Sequence, residues 1–138
     1  MKRGQLSLEF LLLVAAFFSF LLLMLPAIRD VLQLGSLGVD VKAAELFAHR
    51  AKDASQRLLA FGEGSTEEIG ALASHEWGLS SQGGRLMVEI GEGAQSKKLL
   101  QVEAAGLEVP DARVQGKFWL RLKKENGTVR GSIRVDNQ

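Results

Sequence analysis

From Phe10 to Ile28 the chain runs for 19 residues without a charged side chain; only well beyond that stretch do apolar positions fall three and four apart. At roughly 1.5 Å per residue the first stretch makes a helix of about 28 Å, close to the hydrocarbon thickness of a bilayer. Phe10 to Leu25 is apolar on every face, and a helix of that kind must be surrounded by lipid or by protein. Pro26 has no donor for the carbonyl of Leu22, and Gly35-Ser36-Leu37-Gly38 is a second weak point, so a kink or loosening is expected between tail and head. Pro26 reads equally well as the end of a membrane span. From Val39 to Phe61 the stripe Val39, Ala43, Leu46, Phe47, Arg50, Ala54, Leu58 and Phe61 predicts an amphipathic helix, with Lys42, Glu45, Lys52, Asp53 and Gln56 elsewhere around the cylinder.

The C-terminal half changes period. Gly62-Glu63-Gly64 ends the helix, and Ser65-Thr66-Glu67-Glu68 has the form of a capping box leading into a short helix, Thr66 to Ser74. After Trp77-Gly78 and the loop Ser80-Ser81-Gln82-Gly83-Gly84, strand signals cover Arg85 to Ile90, Leu99 to Ala105, Lys117 to Lys123 and Thr128 to Val135. An antiparallel meander is expected. Asn126-Gly127 is the preferred pair for a two-residue type I′ turn, which sets Leu122 opposite Gly131, Leu120 opposite Ile133 and Phe118 opposite Val135 on the face toward the helix. The other face then receives Arg121 with Ser132 and Trp119 with Arg134, the latter as a cation–π pair and a candidate subunit contact.

The expected fold is therefore α+β: a long N-terminal hydrophobic helix with a small C-terminal antiparallel β-sheet head packed on its amphipathic half. Residues 5–34 form the hydrophobic helix, 35–61 its amphipathic continuation, and 62–138 the head.

Composition narrows the chemistry. The 138 residues carry 17 basic and 16 acidic side chains, a formal charge of +1, with the basic residues scattered rather than patched, so no nucleic-acid surface is expected. There are no cysteines, which excludes a disulfide framework, a thiol nucleophile and a Cys-ligated metal. His49 and His75 lie on different predicted elements, and His75-Glu76-Trp77-Gly78 lacks the second histidine of a zinc helix; both read as surface or helix-end residues. Gly62-Glu63-Gly64 and Gly91-Glu92-Gly93 read as turns rather than nucleotide loops. No acid–base constellation emerges, so neither catalysis nor a cofactor is expected. Asn126-Gly127-Thr128 satisfies the N-glycosylation acceptor pattern at an accessible hairpin tip, which makes Asn126 a modification candidate, although turn chemistry alone accounts for Asn-Gly.

The N-terminus holds the most specific signal. One acidic residue, Glu9, stands where apolar character begins, at a cost of up to about 3 kcal/mol unless it finds a partner. A secretory signal peptide would have a shorter apolar core and a small-x-small cleavage site, and a plain anchor fits the length and the positive-inside flank Lys2 and Arg3 but leaves Gly4-Gln5 unexplained. Lys2-Arg3-Gly4 followed by Gln5-Leu6-Ser7-Leu8-Glu9-Phe10 resembles the class III signal peptide of archaeal type IV pilin-like proteins, over about residues 2 to 34. Gln5 in place of an aromatic first residue and a head without paired cysteines favour the archaeal over the bacterial branch, and the glycine and β-branched pattern of archaellins is absent.

That resemblance implies removal of residues 1–4 by a prepilin peptidase, with Lys2 and Arg3 recognised and the cut between Gly4 and Gln5. It implies a membrane-stored precursor that an assembly platform and ATPase build into an extracellular homopolymeric filament serving surface adhesion, with no nucleic acid involved. Cleavage would create an α-amine at Gln5, largely cationic at neutral pH, one helical turn from Glu9; the pair would set subunit register. Glu9 also suits the positive end of the helix dipole without any such role. Phe10, Leu13, Phe17, Phe20, Leu21 and Met24 would pack the filament core, with Ala15, Ala16 and Ser19 allowing closer approach. The alternatives are a monomeric membrane-anchored extracellular binding module and a minor or priming pilin.

Overall fold

The computed structural model describes residues 2–91 and 98–136, with side chains from Ser7 onward. One helix, α1 (Lys2–Ala60), precedes six strands: β1 (Thr66–Gln82), β2 (Arg85–Ile90), β3 (Lys98–Glu103), β4 (Leu107–Glu108), β5 (Ala112–Glu125) and β6 (Thr128–Val135). The class is α+β, a long N-terminal apolar helix followed by a six-stranded sheet. Helical structure continues through Pro26 and through Gly35-Ser36-Leu37-Gly38. Two compact units result, Met1–Ser36 and Leu37–Gln138, the second holding the C-terminal part of α1 together with the sheet.

The sheet is mixed, in the order β3-β2-β1-β5-β6-β4, and the antiparallel meander is thereby corrected. β1 inserts between β2 and β5, and β4 lies parallel to β6, pairing Leu107 with Val129 and Glu108 with Arg130. The parallel edge exists because Gly106, at φ 75°, turns the chain after β3 back along β6, where its carbonyl accepts from Val129 N at 2.8 Å. The β5–β6 register is the one the turn chemistry predicts: Leu122 faces Gly131, Leu120 faces Ile133 and Phe118 faces Val135, with Asn126 and Gly127 at φ 52° and 76°.

The short helix expected at Thr66 to Ser74 is instead the first half of β1. Ile69, Ala73, Trp77 and Leu79 are buried along it, and the run from Thr66 to Ala73 pairs residue by residue with Lys123 to Gly116 of β5. Small residues at Gly70, Ala71 and Ala73 blur the alternation in the sequence, whereas cross-strand pairing with β5 decides the outcome. Ser65 forms a turn, its hydroxyl donating to Gly62 O at 2.8 Å. The expected loop at Ser80 to Gly84 shrinks to the pair Gly83-Gly84, both at positive φ, closing a two-residue β1–β2 hairpin. Of the second glycine turn, Gly91-Glu92-Gly93, residues 92 and 93 lie outside the described residues.

The head packs on the amphipathic part of α1 through a stripe rotated from the expected one. Ala44, Phe47, Ala48, Ala51, Ala54 and Leu58 are buried, with Asp40 and Ser55, while Val39, Leu46 and Phe61 are exposed and so is Arg50. Four alanines on one helix face let the sheet approach closely, so that Phe47 reaches Trp77 and Phe118 at ring-centroid distances of 6.1 and 5.3 Å. Trp77 and Phe118 meet edge to face at 5.7 Å. Larger residues at Val39 and Leu46 would hold the helix further from the sheet, which is why hydrophobicity alone misplaces the stripe. Burying each large core side chain contributes about 1.5–3 kcal/mol. The end of α1 is closed from the sheet: Lys124 Nζ donates to Leu59 O at 2.8 Å and Phe61 O at 2.7 Å, a cation on terminal carbonyls. Arg57 and Glu67 form a further ion pair between helix and β1.

Candidate functional site

In the first unit every described side chain, from Ser7 to Ser36, is exposed. Phe10 and Leu13 stand at 70% and 71% exposure, and Phe17, Phe20, Leu21 and Met24 are exposed with them. Leaving some eighteen large apolar side chains in water would cost on the order of 20 kcal/mol, so this helix requires a nonaqueous surrounding. It is long and apolar enough to cross a membrane, which is compatible with an anchor or a signal. The side chains of Lys2, Arg3, Gly4 and Gln5 lie outside those described; their backbone is helical, which places positions 5 and 9 one turn apart on one face. Glu9 is exposed on the same rod. Ser19 turns its hydroxyl back onto Ala15 O at 2.8 Å, leaving small surface at this point.

The second unit contains a polar site that the sequence pattern did not reveal. Asp40 is 1% exposed on the buried face of α1. Its Oδ1 accepts from Ser74 N at 3.2 Å, and its Oδ2 accepts from His75 N at 2.7 Å and from Trp77 Nε1 at 3.4 Å. His75 Nδ1 lies 2.9 Å from the same oxygen, a geometry that requires the ring proton on that nitrogen. A bulge in β1 supplies these donors. Between the pairs Ala73–Gly116 and Trp77–Val114 the β1 strand advances four residues while β5 advances two, so two extra residues are accommodated and their amides leave the ladder. Burial pushes the Asp40 carboxyl up, but hydrogen bonds from the His75 backbone and ring and from Ser74 outweigh it and hold the group below the usual carboxylate range.

His75 is therefore not a surface or helix-end residue: it sits in β1, its side chain 13% exposed against Asp40. His49 is exposed on α1. The available signal for Asp40 was its phase, since 40, 44, 47, 51, 54 and 58 fall on one helix face. The cluster fastens α1 to β1 through a carboxylate that only accepts hydrogen bonds.

On the sheet face away from α1, Trp119 is half-buried and lies across Gly70, where an added Cβ would meet ring carbons at 2.5 Å. The cation over its ring is Lys117, with Nζ 5.4 Å from the centroid; this replaces the expected stacking with Arg134, which is the cross-strand neighbour of Trp119. Asn126 is exposed at the β5–β6 tip, and Thr128 Oγ1 donates to Glu125 O at 3.0 Å. Comparison with family models, with curated proteins and with solved structures returned no match.

Proposed function

We propose that this chain is the structural subunit of an extracellular type IV pilus-like filament, a pilin stored in the membrane as a precursor and polymerised through the N-terminal part of α1. The observation that carries the reading is an uncovered apolar rod with a single carboxylate, Glu9, at its start, four residues after Gln5 of the run Lys2-Arg3-Gly4-Gln5. A membrane covers such a rod in the precursor, and copies of the same helix cover it in the filament. Prepilin peptidase would cut between Gly4 and Gln5, removing the charges that pin the helix to the cytoplasmic side. The new amine of one subunit and Glu9 of its neighbour would then set axial register, and loss of one partner of such a buried pair costs about 3–5 kcal/mol. Phe10, Leu13, Phe17, Phe20, Leu21 and Met24 would pack the filament core. The assembly platform and its ATPase would be the remaining partners, and surface adhesion the service performed.

Intact-mass and N-terminal peptide analysis of the protein recovered from cells tests this. A mature chain beginning at Gln5, found as the main component of purified surface appendages, is the expected result. A chain that retains Met1 to Gly4 and stays a solitary membrane protein overturns the proposal and leaves the anchored binding module.

A further inference from the structure

We propose that the outer face of β1, β5 and β6 around Trp119 is a binding site for an acidic polysaccharide, a sugar polymer bearing carboxylates. This inference goes beyond polymerisation and does not depend on it.

Three features converge there. The first is an aromatic surface laid flat by design of its neighbour: Gly70, directly across from Trp119 on β1, has no side chain to lift the indole off the sheet. An indole face carries negative quadrupole character, and the C–H groups on one side of a pyranose ring present a flat, weakly positive surface that fits it.

The second is the hollow beside the ring, of about 150 Å³, lined by Glu68, Trp119, Arg121, Ser132, Ile133 and Arg134. Its Arg121 and Glu68 are held against each other at 2.6 Å, so both planar groups are pre-oriented. A guanidinium, a carboxylate and the Ser132 hydroxyl together offer donors and acceptors to vicinal hydroxyls, which are themselves both.

The third feature selects the charge of the sugar. The face presents Lys117, Arg121, Lys123, Arg130 and Arg134, and the carboxylates of Glu68, Glu125 and Glu108 are committed to Arg121, Lys123 and Arg130. Lys117, whose Nζ lies over the indole, and Arg134, the cross-strand neighbour of Trp119, have no ion pair among the described residues. Asp136, whose backbone amide donates to Lys117 O at 3.0 Å, adds one exposed carboxylate at the rim, against the two cations Lys117 and Arg134. Arg134 is placed to take a sugar carboxylate in bidentate fashion, and the exposed Lys117 swings from the ring onto the next acid group along the polymer. A neutral glycan would leave both cations unused. A second copy of this chain would have to bring its own carboxylates to the same spot.

The test uses the full chain purified in detergent micelles, titrated with sodium polygalacturonate as the uronate polymer and with dextran as the neutral one, read by tryptophan fluorescence and co-sedimentation. Saturable binding to polygalacturonate is expected, weaker by about tenfold or more in Trp119→Ala and in the double variant Lys117→Gln/Arg134→Gln, and at least about tenfold weaker for dextran. Both double-variant positions are exposed, so that protein keeps its fold and carries the test should Trp119→Ala fail to fold. Absence of saturable binding by the parent, or equal binding by the parent and the double variant, overturns the proposal. So does a result in which Trp119→Ala dissolves a dimer of the parent in micelles while leaving polysaccharide binding unchanged, because the face then belongs to a second copy.

Discussion

Replacing Asp40 by alanine removes the carboxylate that accepts from the Ser74 amide, the His75 amide and the Trp77 indole. Hydrogen bonds to an ionised group are worth about 1.5–3 kcal/mol each, and a buried donor left unmatched costs about 1–3 kcal/mol. The bonds are not additive, the contact to Trp77 is long at 3.4 Å, and water reaches the partly exposed bulge, so a total of about 3–5 kcal/mol is the working figure. For a unit of about 100 residues each kcal/mol moves Tm by roughly 4–8 °C, so Asp40→Ala should lower the head's transition by about 12 °C or more. Asp40→Asn keeps the shape and one acceptor but turns an amide donor toward other donors, and an intermediate loss is expected.

The charge adds a pH signature. The carboxyl is depressed in the folded state, so its contribution is complete above the unfolded value near 3.9 and is lost as pH falls below that toward the folded value. The parent should therefore lose stability below about pH 4 more steeply than Asp40→Asn does. Unfolding of the full chain in micelles, followed by fluorescence of the buried Trp77 across pH 2.5 to 7, measures both effects. An Asp40→Ala protein within about 1 kcal/mol of the parent, or an unchanged acid limb in Asp40→Asn, would falsify the assignment of Asp40 as the fastening between α1 and β1.

Ser55 is fully buried and its hydroxyl has no hydrogen-bond partner among the described residues, so Ser55→Ala, which also improves helix propensity, should raise stability by about 0.5–1 kcal/mol in denaturant titration; a clear loss would mean the hydroxyl is satisfied in solution. Gly70→Ala should destabilise by about 1–3 kcal/mol and shift the Trp119 emission, because the new methyl overlaps the ring; an unchanged spectrum and Tm would show that the indole does not rest on Gly70. Glu9→Ala should still be cleaved and inserted yet yield few or irregular filaments in electron micrographs of shed appendages. Normal filaments from that variant would remove the pairing role of Glu9 while leaving the polymer reading intact.

The parts of this protein that depend on local chemistry were legible from residues alone. The apolar rod was, because 19 uncharged residues that are apolar on every face form a helix with no side suited to water; so was the β5–β6 hairpin, because Asn126-Gly127 accepts the positive φ angles of a type I′ turn and few other pairs do. The arrival of Phe118, Leu120 and Leu122 on the helix side followed from that turn by strict alternation. What tertiary structure alone decided were the matters in which distant segments compete. Thr66 to Ser74 carries helix-start chemistry, yet the β5 partners of Thr66 to Ala73 outweigh a cap worth about 1 kcal/mol. The stripe on α1 turned toward its alanines because close approach of the sheet, rather than the bulk of Val39 or Leu46, sets the packing. Asp40 could be buried only because a bulge 34 residues further on turns its amides toward that carboxylate, and no local window of sequence contains both halves of that exchange.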